Sequence, residues 1–276
     1  MNPNEFLELF ENEINYNINN NLPELSMYYK FAKKDGLYVW RKNYLLQRLE
    51  YIYSNIVIPA KKNMNVWDVG CGYGTTCIFL AMNGIKSIGT TLENYHKLIP
   101  NRKQFWQNYG NMELFEVRVE NLYEVAYQEC YFDYILVQDT LHHLEPIDRA
   151  LQILRKFLKT DGKIVVVDDN GNNIMQRVKL FLYRGNKRVI KFYDDNLKKH
   201  ILFGNENVRS LKQWNKIFCE NKLNISAVDY IRFFPPYFMN EKNSLKLIKL
   251  EKTLWKKSKI FKECFYWGLN FIANKK

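Results

Sequence analysis

The sequence predicts an α/β fold, a mostly parallel sheet with helices on both faces, and three observations carry that expectation. Short apolar runs alternate with stretches of helical periodicity from residue 65 to residue 168, the rhythm of consecutive β-α-β units. One run, 132–138, is almost wholly apolar, as a strand covered on both faces requires. Another, 65–69, runs straight into three glycines at alternate positions and then into a helix-forming stretch.

Composition supports a globular chain. The 276 residues are 47% apolar, 25% charged and 16% aromatic, enough to bury a large core and to exclude disorder as the main state. No run approaches the length of a membrane span, and the acidic, polar-interrupted start MNPNEFLELFENEINYN is unlike a signal peptide. Cys71, Cys77, Cys130, Cys219 and Cys264 are scattered, without a CxxC pair, and read as reduced thiols. A cytoplasmic protein is the expectation, at most peripheral to the inner face of a membrane.

Taken in order, residues 1–36 are polar and Asn-rich, with short helical patterns around Phe6, Leu7 and Phe10. Over 38–56, Tyr44, Leu45, Leu49, Ile52 and Ile56 recur at helical spacing. Residues 1–60 are therefore expected to form a helical cap on a single domain spanning 61–276. After the strand at 65–69 comes a helix at 75–83 closed by Gly84. Strands follow at 86–90, 112–119 and 132–138. A helix at 148–158 is expected to stop at an Asp161-Gly162 turn, before a fifth strand at 163–168. Segment 171–207 is basic and aromatic without one clear period, an elaboration on the domain. Helices are expected at 210–220 and 244–257, and strands at 225–233, closed by Pro235-Pro236, and in the terminal CFYWGLNFIAN.

The glycine loop, Asp68-Val69-Gly70-Cys71-Gly72-Tyr73-Gly74, is the strongest signal. Glycines permit positive φ and let backbone approach a ligand closely. The loop lies at the carboxyl end of the first strand, where open α/β sheets bind ligands.

That pattern resembles the first motif of the class I S-adenosylmethionine-dependent methyltransferases. FDYILVQDTLHHL (132–144) resembles the family's fourth strand and the segment after it, and LKTDGKIVV (158–166) the turn before its fifth strand. The resemblance implies a Rossmann-like, seven-stranded sheet whose last strand, YWGLNFIANKK, is antiparallel. It implies S-adenosylmethionine as cofactor, its methionine end cradled by Gly70, Cys71, Gly72 and Gly74 with Asp68 close by. The ribose acceptor would come from Thr91, Leu92 or Glu93, a GxTL form similar to that of cyclopropane fatty acid synthases. Glu120 and Asn121 would lie by the adenine, and Gln138 closes the fourth strand.

Methyl transfer from a sulfonium is an in-line displacement, and the leaving thioether needs no acid. A base is required only for a protonated nucleophile such as a hydroxyl. His142 and His143 follow the fourth strand, beside the expected methyl group. If Asp139 opens a helix, then Asp139, His142 and His143 share one face at i, i+3 and i+4. The trio resembles the E-x-x-E-H metal-binding stretch of ubiquinone-pathway O-methyltransferases, although two of its three residues differ. Three readings stay open: a histidine base, a divalent-metal site, or a pair that caps and packs a helix.

Charge is uneven. Residues 1–170 hold 18 basic and 21 acidic side chains, and residues 171–276 hold 23 and 8. Between 177 and 200, eight lysines and arginines are interleaved with Phe181, Tyr183, Phe192 and Tyr193. This bias points to a small or lipid-linked anionic substrate, with peripheral contact to an anionic membrane and nucleic acid ranked lower. The expected activity is methylation of that acceptor at oxygen. An RNA methyltransferase and a non-catalytic cofactor-binding scaffold are the alternatives.

Overall fold

The first helix, α1 (Pro3–Asn19), begins at a complete cap. The Asn2 side chain accepts from the Asn4 and Glu5 N–H groups, Glu5 reaches back to the Asn2 N–H, and proline occupies the first turn. The computed structural model describes residues 1–31, 38–194, 198–235, 238–240, 242–254 and 258–276. Next come α2 (Glu24–Tyr29), α3 (Tyr38–Ile52), β1 (Asn65–Val69), α4 (Thr75–Met82), β2 (Lys86–Thr91), α5 (Glu93–His96), α6 (Ile99–Trp106) and β3 (Phe115–Val119). They are followed by β4 (Phe132–Gln138), α7 (Ile147–Phe157), β5 (Leu158–Asp169), α8 (Ile174–Arg184), β6 (Val189–Asp194) and β7 (Lys199–Gly204). The chain closes with α9 (Leu211–Glu220), β8 (Leu223–Ile231), α10 (Ser244–Leu254), α11 (Lys259–Phe265) and β9 (Gly268–Lys275).

Seven strands form one sheet in the order β3-β2-β1-β4-β5-β9-β8, and β6 pairs with β7 as a separate ribbon. The pairs β1–β4, β4–β5 and β2–β3 are parallel, whereas β9 runs antiparallel to β5 and β8. The α/β, mostly parallel expectation holds.

The chain contacts cluster into two compact units. One comprises Met1–Met64, Cys71–Val119 and Arg232–Lys257. Its centre is aromatic: Phe6 stacks on Trp106 and meets Phe79 edge-on, and all three are fully buried. Here Gln47 of α3 also donates to Glu251 of α10 at 3.0 Å. The other unit comprises Asn65–Gly70, Glu120–Ile231 and Ser258–Lys276. Trp67 of β1 packs against Phe132 and Phe157 within it. Burying side chains of this size stabilises the fold by roughly 1.5–3 kcal/mol each.

Several expected boundaries move for identifiable reasons. Asp161-Gly162 falls within β5 rather than before it, at an irregularity in the ladder: Phe132 pairs with Leu158 but Tyr134 with Lys163, so the residues between bulge away from β4. A Cβ at Gly162 would lie 2.7 Å from the Leu158 side chain and 3.0 Å from the Asp133 carbonyl, so this glycine serves close packing. The strand expected from residue 112 starts at Phe115, because Asn111 caps a short turn over Met112–Leu114. Cys264 and Phe265 end α11, which Ser258 caps, and the last strand begins at Gly268. The lack of a single period over 171–207 reflects two kinds of element, α8 and the β6–β7 hairpin. Pro236, Trp255, Lys256 and Lys257, part of two sequence expectations, lie outside the described residues. No helix among the described residues is long and apolar enough to cross a membrane.

Candidate active site

The three loop glycines take the conformation that singled them out: φ is +74° at Gly70, +53° at Gly72 and +72° at Gly74. At Gly70 crowding adds to backbone strain, since a Cβ would stand 2.3 Å from Thr140 Oγ1. The loop is also held from below. The Cys71 N–H donates to the Thr90 carbonyl at 2.9 Å, and its thiol lies where a Cβ on Gly89 would be, 2.5 Å from that position. Tyr28 of α2 covers the loop with its hydroxyl 3.4 Å from the Gly72 Cβ position, and its ring meets Tyr73 and Tyr95 edge-on.

Arg102 locks this loop from the core. Its guanidinium donates to both Glu13 carboxylate oxygens at 2.7 and 2.6 Å, to the Tyr73 carbonyl at 2.6 Å and to Thr75 Oγ1 at 2.7 Å. Arginine and glutamate are both essentially unexposed. Burial works against the arginine's charge, but Glu13 holds its pKa above the ordinary value. Tyr29 adds a 2.7 Å hydrogen bond to Thr75.

The remaining cofactor candidates occupy distinct positions. Asp68 is buried on β1, Thr91 is the buried last residue of β2, Leu92 is 64% exposed, and Glu93 opens α5. Glu120 accepts from the Tyr127 hydroxyl at 2.7 Å. Asn121 caps a short turn by accepting from the Tyr123 N–H. Gln138 ends β4, and its carbonyl accepts from Thr140 at 2.7 Å.

Beyond β4 the expected helix is absent. Asp139 has φ +43°, Leu141–His143 forms one tight turn, and α7 starts only at Ile147. Asp139, His142 and His143 therefore do not share a helical face. Other acids meet the histidines instead. Asp168, at the end of β5, receives the His142 Nδ1 hydrogen bond and, on its other oxygen, the His142 N–H. His142 Nε2 lies 3.8 Å from the Glu206 carboxylate. Burial would lower the His142 pKa, but the charge and hydrogen bond of Asp168, with Asp169 and Glu206, push it up to about 9. His143 moves down, through burial and then the charge of His142.

The β6–β7 hairpin completes this cluster. The Gly204 carbonyl accepts from His143 Nδ1 at 2.8 Å, and Phe203 stacks on the same ring at 4.5 Å. A Cβ at Gly204 would lie 2.0 Å from the His142 carbonyl, so only glycine fits. Just beyond, Arg209 donates to buried Glu145 at 2.6 Å, as does Asn207. Register links Val69 to Val137 and Gln138 to Val167. Gly70, Thr140, the histidines and Asp168 thus gather at the carboxyl ends of β1, β4 and β5.

Sequence reasoning missed Tyr28, Arg102, Asp168 and Glu206. Asp168 carried a visible signal, an acid at the end of a predicted strand beside the histidine strand.

Comparison with known proteins agrees with this geometry. Residues 67–166 match the family described as Methyltransferase domain. Norajmaline N-methyltransferase of Rauvolfia serpentina is 25% identical over 155 residues, covering 54% of this chain and 50% of that protein. Sterol 4-C-methyltransferase strm-1 of Caenorhabditis elegans is 24% identical over 126 residues, 45% of this chain and 37% of that protein. The chain thus spans half or less of the length of these curated relatives. Among solved structures, geranyl diphosphate C-methyltransferase from Streptomyces coelicolor A3(2) aligns with a TM-score of 0.54 at 13% identity, covering 89% of this chain and 86% of that one. Fold, glycine loop and family match define a class I methyltransferase domain. The family match covers residues 67–166, little more than a third of the chain; over that region the sequence is similar to methyltransferase domains, and S-adenosylmethionine is the cofactor that this match and the fold support.

Proposed function

We propose that the chain transfers the methyl group of S-adenosylmethionine to an oxygen of a small or lipid-linked anionic acceptor. The loop at 70–74 would hold the methionine end of the cofactor, Thr91 and Glu93 its ribose, and exposed Leu92 would offer an apolar ledge for the adenine. Of the pair, His143 would activate the acceptor hydroxyl, because Asp168 keeps the proton on His142 near neutral pH. A carbonyl can only accept, so the Gly204 bond fixes the proton on His143 Nδ1 and turns the Nε2 lone pair outward.

One observation carries the anionic reading: like charges crowd the elements that complete the histidine cluster. Partial burial lowers the Arg188 pKa, and so do the charges of Arg184, Arg209 and Arg177. An anionic group among them would relieve that repulsion. Phe181, Leu182 and Tyr183 on the same α8 are 60%, 79% and 74% exposed, apolar surface suited to a lipid carrier. Segment 171–207, an elaboration within the methyltransferase domain expected over 61–276, would then cover the acceptor.

Calorimetry with S-adenosylhomocysteine tests the first half. Binding by the wild type, lost in Gly70→Val, is expected; no binding by the wild type sinks the reading. A screen with radiolabelled cofactor against phosphosugars, anionic lipid extracts, neutral lipids and bulk RNA tests the second half. Label in an alkali-stable ether of an anionic acceptor is the expected result. Label in RNA, or on nitrogen or carbon only, would overturn it.

A further inference from the structure

We infer that His142, His143 and Glu206 form a binding site for one divalent transition-metal ion of the zinc type. Their ligand atoms all lie within 4.8 Å of one another. Bonds of about 2.0–2.2 Å at tetrahedral angles place ligand atoms about 3.4 Å apart. The 3.8 Å between His142 Nε2 and Glu206 is already close to that edge.

The stronger argument is how the rings are held. A metal-binding histidine presents one nitrogen to the ion, while the other donates to a carboxylate or a backbone carbonyl. Both arrangements occur here, on neighbouring residues. His142 Nδ1 is bonded to the Asp168 carboxylate, and His143 Nδ1 to the Gly204 carbonyl. The two anchors come from different elements, the end of β5 and the hairpin, yet both occupy Nδ1 and so leave Nε2 as the nitrogen for an ion. The rings are only 4.0 Å apart, centroid to centroid. Two imidazoles that close, with outer nitrogens near one carboxylate, offer an N,N,O donor set. Such a set suits zinc and its neighbours better than magnesium or calcium, which prefer oxygen.

The site is accessible from one side. His142 is buried, whereas the Glu206 side chain keeps 38% of its surface, so three protein ligands leave a fourth position open. Catalytic use of that position rests on the oxygen-acceptor reading; the binding itself does not. With an ion in place the His143 Nε2 lone pair would be its ligand and no longer a base, so an acceptor hydroxyl bound there, made acidic by the ion, would lose its proton to water. Its oxygen would form the new O–CH3 bond as the C–S bond breaks, with that electron pair staying on sulfur, giving a methyl ether and S-adenosylhomocysteine.

The test is a Co2+ titration of the whole, chelator-treated chain, followed by its visible absorption, with Zn2+ displacement as a second readout. We expect one equivalent to give an N/O-type tetrahedral spectrum. Glu206→Gln should weaken binding at least tenfold, and His143→Ala should abolish it. S-adenosylhomocysteine calorimetry on the same variants reports whether they are folded, and it separates failure of this site from failure of the methyltransferase reading. No saturable Co2+ binding would overturn the inference. So would binding unchanged in Glu206→Gln, or a thiolate charge-transfer spectrum pointing to exposed Cys130 or Cys219.

Discussion

Arg102 and Arg188 show two opposite treatments of an arginine. Arg102 is enclosed, and its nitrogens go to a carboxylate, a carbonyl and a hydroxyl. Arg188 stands toward solvent, donates to the Val208 carbonyl at 2.9 Å, and has other arginines as electrostatic neighbours. The first arrangement is internally complete and fixes a loop. In the second, Arg209 has Glu145 as its counter-charge, whereas Arg188 is bonded to a neutral carbonyl. Under the proposed function an anionic acceptor would supply the missing charge there.

The sharpest way to break this contrast is Glu13→Ala. It leaves the Arg102 guanidinium buried without its counter-charge and should cost about 3–5 kcal/mol, read as a lower midpoint in urea unfolding. A loss below about 1 kcal/mol would mean that the pair is not holding the core. The double change Arg102→Met with Glu13→Leu should recover much of the loss, since apolar residues of similar volume often replace a buried pair without penalty.

Gly204→Ala comes next. Its new methyl would collide with the His142 carbonyl, and moving the hairpin away should cost about 1–3 kcal/mol. Turnover should fall further than stability, because the same shift withdraws the carbonyl that aims His143. Normal turnover would show that the hairpin is not part of the site.

The smallest effect on folding is expected from Arg184→Gln and Leu182→Ser, at a half-buried and an exposed position of α8. Stability should change by no more than about 0.5 kcal/mol. The functional effect should be separate: Arg184→Gln raises KM for the acceptor, and Leu182→Ser weakens co-sedimentation with anionic vesicles. Salt should weaken the electrostatic part, since the screening length is about 10 Å at 0.1 M. Unchanged behaviour in both would reduce the basic bias to composition.

These two regions also differ in how far they could be read from sequence. The sheet was legible because its signals are local. The 132–138 run and the glycines at 70, 72 and 74 act within a few residues. His142 and His143 were legible as chemistry, but their partners were not. Glu206 reaches them only after two helices, a strand and a hairpin intervene. Glu13 meets Arg102 across 89 residues. No spacing rule connects such pairs, because packing brings them together. The failed helix at 139–143 has the same origin: backbone strain at Asp139 overrides a pattern that reads as helical in isolation.

Cys71 gives the glycine loop a chemical handle. Its thiol is partly exposed, while that of Cys77, against the same face of Gly89, is buried. An alkylating reagent therefore meets one cysteine of the pair and not the other. Any adduct it leaves would sit at the loop proposed to hold the methionine end of the cofactor. The rate at which Cys71 is labelled thus becomes a clock for loop occupancy, slowing as the loop fills and readable by mass spectrometry without knowledge of the acceptor.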